Sequence, residues 1–245
     1  MTELLVILVA MSVGAFVKGV TGTGLPQVAI PTMAIFLGVE HAVVVMAIPG
    51  VVTNAWMLWT HREHWHATRD VPVMVAGGAV GALVGTFGLK VLDPRWLSLA
   101  LGGVIVLYLV MRLVNNGFAI PAGLARYVAP PVGLVAGLLQ GSTGISGPML
   151  TMYLHGLRLA RQVFIVSIVT LFLVFAVVQT GTLVALGMFD ADRLRQGVLA
   201  LVPIMLVLWA AARYAHRMRE DVFDRWVLVL LAVFAVALIY DGVTG

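Results

Sequence analysis

Lys18 is the only basic residue set directly against a run of Gly, Thr and Pro inside an apolar stretch. That run reads Lys18-Gly19-Val20-Thr21-Gly22-Thr23-Gly24-Leu25-Pro26. A second copy, Gln140-Gly141-Ser142-Thr143-Gly144-Ile145-Ser146-Gly147-Pro148, lies 122 positions later, counted from Gly19 to Gly141. Glycine, proline and hydroxyl residues interrupt a helix and leave backbone N–H and C=O groups without partners. In hydrocarbon each such group costs several kcal/mol unless protein or a watery cavity satisfies it. Matched interruptions in two halves of a membrane chain therefore point to a binding site for a transported solute.

The chemistry on offer is the capture of an anion. Lys18 supplies a compact positive charge, and Thr21, Thr23, Ser142, Thr143 and Ser146 supply short hydroxyl donors. Helix N-termini that follow such breaks bind oxyanions through free N–H groups. Pro26 and Pro148 fit the first turns of those helices, while Gly22, Gly24 and Gly144 let the backbone turn. Each feature has a structural alternative. A lysine can snorkel to the interface, hydroxyls can merely satisfy a broken helix, and glycines can serve close helix packing. Gln140 is the neutral counterpart of Lys18. Asn54 and Gln179 are amides deep inside apolar runs, where they can line a pathway or bridge helices, and Asn54 gains weight from adjacent Thr53.

Other chemistries lose their candidates. All eleven Asp and Glu residues lie at run ends or in connections, so no mid-run carboxylate is present for a proton relay or acid–base pair. No Gly-x-x-x-x-Gly-Lys-Ser/Thr occurs, so ATP does not energise this chain alone. Cysteine is absent, which excludes disulfides and thiolate sites. The His61-Arg62-Glu63-His64-Trp65-His66 segment holds metal-ligand types but lacks the spacing of a zinc-protease helix, and Trp and His also suit the headgroup level. Catalytic residues, metal and cofactor are accordingly all expected to be none.

The elements that position the two signatures are membrane helices. The chain is 61% hydrophobic and 11% charged, against about 25% charged for soluble domains, and its mean hydropathy is +1.05. Its apolar runs are continuous rather than alternating, which excludes a strand barrel. Several match the ~20 residues of a bilayer crossing, whereas those after each signature, Leu25–Val39 and Met149–Leu157, are too short to cross upright. The fold class is all-α, a polytopic membrane protein of two homologous repeats, each with a Gly/Pro-broken helix pair near its start. The expected divisions are 1–114 and 124–245, joined by a linker at 115–123 that carries Asn-Asn-Gly and Pro. Leu4–Val17 follows no basic segment and no cleavage site, so it reads as retained.

Charge sets the orientation. If each signature is the tip of a helix pair, 11 of the 15 Lys and Arg residues collect on one face, and 4 on the other. If each signature region crosses once, the split is 8 against 6. The positive-inside rule favours the first arrangement, with both termini outside and the halves inverted. The scattered basic residues form no stripe, which excludes nucleic acid despite a pI near 9.9.

The chain resembles the TauE/SafE family of sulfite-exporter-like permeases. Gly19–Pro26 and Gly141–Pro148 stand where that family carries Gly-rich motifs, though Thr, Ile and Ser interrupt the glycine runs here. The resemblance covers essentially the whole chain. It implies movement of sulfite, sulfonates or related sulfur-containing anions, usually outward across a bacterial inner membrane. The leading reading is a secondary transporter or facilitator of small anions. The alternatives are a passive anion channel and a membrane-embedded enzyme using the His61–His66 cluster. The partners implied are a small anionic substrate and the lipid bilayer, with homo-oligomerisation left open.

Overall fold

A computed structural model describes residues 2–21, 23–63, 71–114, 119–214 and 220–244. Among them the chain forms ten α-helices and no strand: α1 (Thr2–Thr21), α2 (Leu25–Leu37), α3 (Val39–Thr60), α4 (Val71–Val91), α5 (Pro94–Val114), α6 (Ala122–Thr143), α7 (Gly147–Gly156), α8 (Arg161–Ala185), α9 (Ala191–Tyr214) and α10 (Glu220–Thr244). Seven of these, α1, α3, α4, α5, α8, α9 and α10, are long and apolar enough to cross a membrane. The protein is a multi-pass helical membrane protein. Its outward faces fit that setting: Val80, Leu83, Val84 and Phe87 of α4 and Val229, Val233 and Val236 of α10 are exposed. Such surface matches lipid tails rather than water.

Both signatures break the chain between a long helix and a short one. α2 has 13 residues and α7 has 10, well below a crossing. Gly24 and Gly144 make the turns, with φ of 106° and 72°, a left-handed backbone that glycine adopts without a Cβ clash. Pro26 and Pro148 then sit in the first turn of α2 and α7, where their missing N–H costs nothing.

The chain divides into two compact units, and neither coincides with a half of the sequence. One comprises 1–49, 92–110 and 189–245; the other comprises 50–91 and 111–188. In the first unit α2 folds back along α1, since a Cβ at Gly14 would meet Leu25 and Ala29. The opening turns of α3 and α9 run side by side in the same direction. Arg193 donates to Glu40 at 2.8 Å and His41 contacts Gln196 at 2.8 Å, and Gly197 packs on Val45. α5 and α10 are antiparallel, tied by Arg95 Nε donating to the Gly242 carbonyl and Ser98 donating to Asp241.

The second unit is held by a seam of glycines. Gly77, Gly81 and Gly85 of α4 face the carbonyls of Pro130, Leu134 and Leu138, and Gly133, Gly137 and Gly141 of α6 face those of Met74, Gly78 and Ala82. The residue numbers rise together along both helices, so α4 and α6 are parallel. Small residues every fourth position let two backbones approach this closely. Around the seam, Met74, Leu150, Tyr153, Leu171 and Phe175 form a buried apolar core.

This unit also decides the path of the second signature. Lys90, at the end of α4, donates to the Leu186 carbonyl just past α8 at 2.8 Å, so α4 and α8 finish together. α6 and α8 therefore run the same way, and α7 must bring the chain back between them. The Ile120 N–H donates to the Gly156 carbonyl at 2.8 Å, closing the α6–α7 pair at its base. The path agrees with a helix pair at each tip, the arrangement that the 11-to-4 charge count favours. It makes a prediction for the Cys-free chain: single cysteines replacing Asp93 and Asp192 should react with an impermeant thiol reagent outside intact cells, and one replacing Arg161 should not. Labelling of Asp93 and Asp192 positions from opposite sides would contradict the α6–α7 return.

Candidate functional site

The second break is a buried polar knot. Every residue from Gly141 to Pro148 is buried, and Gln140 is half-buried. Ser142 and Thr143 donate back to the Leu138 and Leu139 carbonyls at 2.9 and 2.7 Å, and Thr143 Oγ1 accepts from the Ile145 N–H at 3.3 Å. These bonds satisfy the last turn of α6. The Gly144 N–H closes that turn on the Gln140 carbonyl, as a left-handed C-terminal residue does.

Gln179 of α8 crosses to this turn. Its Nε2 donates to the carbonyls of Gln140 at 2.7 Å and Gly141 at 3.2 Å. Its Oε1 accepts from Gln140 Nε2 at 3.1 Å, and Gln140 Oε1 accepts from Ser146 Oγ at 2.8 Å. Two amides and one hydroxyl thus lock the break from both sides. Ser146 spends its hydroxyl on Gln140 and gives α7 no side-chain cap. The start of α7 is therefore buried, neutral and without a side-chain cap, a setting in which a helix N-terminus can hold an oxyanion. Next to Gln179 on α8, Thr180 carries a buried hydroxyl without a hydrogen-bond partner among the described residues.

The first break lies in the other unit. Lys18 occupies the last turn of α1 and is only 4% exposed. A snorkelling lysine keeps its ammonium in water, so this burial favours a role inside the protein. Its position also places positive charge at the carbonyl end of a helix, which the dipole stabilises. Gly24 is buried, Thr23 and Pro26 are half-buried, and α2 begins without a side-chain cap. Gly22 and the side chain of Thr21 lie outside the described residues.

Asn54 is buried on α3 and donates to the carbonyl of Gly50, one turn back, at 2.9 Å. That bond satisfies its own helix. Gln179, the other amide that the sequence singles out, is the one at the second break. Of the His cluster, His61 turns back to the Met57 carbonyl at 2.9 Å and Arg62 stacks on Trp59. His64, Trp65 and His66 lie outside the described residues. Among the described residues no three His, Asp or Glu side chains converge as a metal site would require.

The family described as Sulfite exporter TauE/SafE matches residues 6–238. The chain belongs to the TauE/SafE family. This makes it a membrane transport protein of a family of sulfite exporters. No curated protein and no solved structure matches it.

Proposed function

We propose that this TauE/SafE protein is a secondary transporter or facilitator that exports small sulfur oxyanions, sulfite or sulfonates, across a bacterial inner membrane. It performs no catalysis of its own in this reading, and the two signatures are equivalent parts of two inverted repeats. The order of helix lengths supports the repeat: long, short, long, long, long from α1 to α5 and again from α6 to α10. The observation that carries the substrate class is the uncapped start of α7, framed by Gln140, Ser146 and Gln179. A buried, neutral helix start without a side-chain cap suits a small tetrahedral or pyramidal oxyanion, which accepts several hydrogen bonds at once. In the first unit, Lys18 stands at the matching place of the first signature and gives that break a positive charge.

Thermal stabilisation by candidate solutes tests this directly, because a ligand that binds the folded state raises its stability by mass action. Sulfite or a short sulfonate should raise the melting temperature, and an uncharged analogue of similar size should not. Gln179→Leu leaves the Gln140 amide and two carbonyls without their partner, so it should reduce the anion-dependent increment. Stabilisation by none of the sulfur anions, or equal increments in the variant, would overturn the assignment.

A further inference from the structure

Outside the polar breaks, the second unit has a cavity of about 140 Å³ between α6 and α7. Leu124, Val128 and Val132 form one wall at four-residue spacing, and Met149, Met152 and Tyr153 form the other. Its lining is almost wholly apolar. Leu124 is 51% exposed, so the cavity opens on the outer surface of the unit rather than inward. The volume is close to that of a protein cavity that takes up benzene, and so admits roughly six carbons of an alkyl chain. Left empty, the lining forfeits dispersion contacts.

The end of this cavity carries positive charge. Ile120 and Pro121 close it, and the Ile120 N–H is bonded to the Gly156 carbonyl, which brings Arg158 within two residues of the wall. Arg161 opens α8 just beyond, and Arg126 lies over the ring of Tyr127, an exposed aromatic at the start of α6. Arg126, Arg158 and Arg161 are all exposed. The sequence holds no acidic residue between Asp93 and Asp190, so α6, α7 and the start of α8 supply no carboxylate to these arginines; the acids of this unit are Glu63 and Asp70 of the α3–α4 connection. Arg158 also holds a left-handed backbone, φ 52°, a conformation that disfavours a residue with a Cβ.

We propose that the α6–α7 cavity seats one acyl chain of an anionic phospholipid, with the lipid phosphate on Arg158 and Arg161. The apolar volume suits the acyl chain of such a ligand, and the exposed arginines suit its phosphate. Basic pockets among membrane helices recognise anionic headgroups in this way. The face is also the one on which the charge count places most basic residues, the cytoplasmic side under the positive-inside rule.

The test compares dioleoyl phosphatidylglycerol with dioleoyl phosphatidylcholine, added to detergent-purified protein and followed by native mass spectrometry and thermal midpoint. The anionic lipid should bind about thirtyfold more tightly, the ratio given by ~1 kcal/mol for each of two arginines at 1.4 kcal/mol per tenfold. The double variant Arg158→Gly and Arg161→Gln should bring that ratio near one. Glycine suits the backbone at 158, so the lipid-free midpoint should not fall. Arg195→Gln, removing an exposed charge elsewhere, should keep the preference. Val128→Phe should fill the cavity and reduce retention of both lipids. Equal binding of the two lipids by the native chain would overturn the proposal. So would an equal loss in Arg195→Gln, or unchanged retention in Val128→Phe.

Discussion

Lys18→Ala is expected to weaken binding of the transported anion about ten- to hundredfold, while Lys90→Ala leaves it nearly unchanged. Lys18 is buried at the first break, whereas Lys90 is exposed and donates to a backbone carbonyl at the end of α8. A hydrogen bond to a charged group contributes ~1.5–3 kcal/mol, and 1.4 kcal/mol is tenfold in affinity. Burial raises the stake, because fewer waters replace the lost ammonium. Titrating both variants with sulfite by thermal shift or calorimetry checks the difference. Equal, small effects would leave Lys18 as a charge that serves only the end of α1.

The second large effect concerns the glycine seam. A Cβ at Gly137 would run into the backbone of Gly78 on α4, and backbone cannot rotate away as a side chain can. Gly137→Leu must therefore push α4 and α6 apart, separating α4 from the helix whose last turn forms the second break. Overpacking a tight core costs ~1–3 kcal/mol and sometimes more; against backbone the upper end applies. The expected result is loss of the monodisperse peak on size-exclusion chromatography. Gly103→Leu is the control, since nothing lies within 4 Å of a Cβ there. Recovery of Gly137→Leu at the level of Gly103→Leu would contradict the seam.

The breaks were legible in the sequence because Gly and Pro act locally. Gly24, Pro26, Gly144 and Pro148 constrain φ or remove an N–H whatever surrounds them, and the short helices α2 and α7 follow. The glycine seam was written just as plainly, at every fourth position from Gly77 to Gly85 and from Gly133 to Gly141. It was overlooked because one stripe gives no partner; only the pair of stripes in contact defines the parallel helices. The choice between Asn54 and Gln179 was not legible at all. Both are amides inside apolar runs, and the rotation of each helix about its axis decides which reaches a break. Gln179 meets Gln140 across helices, and Asn54 bonds one turn back to Gly50. The interlaced units are likewise set by long-range packing, such as α1 with α9, which no local pattern announces.

With no carboxylate mid-run and no nucleotide site in the sequence, we propose that the membrane potential drives anion exit without a coupled cation. Proteoliposomes loaded with labelled sulfite test it, given a potassium-diffusion potential and no proton or sodium gradient. A negative interior favours anion exit by about 2.3 kcal/mol per charge per 100 mV, enough to sustain a roughly fortyfold gradient of a monovalent anion at 1.4 kcal/mol per tenfold. Efflux should saturate with sulfite, accelerate when the interior is negative and slow when the potential is reversed. Flux that ignores the potential and follows an imposed proton or sodium gradient would contradict the proposal.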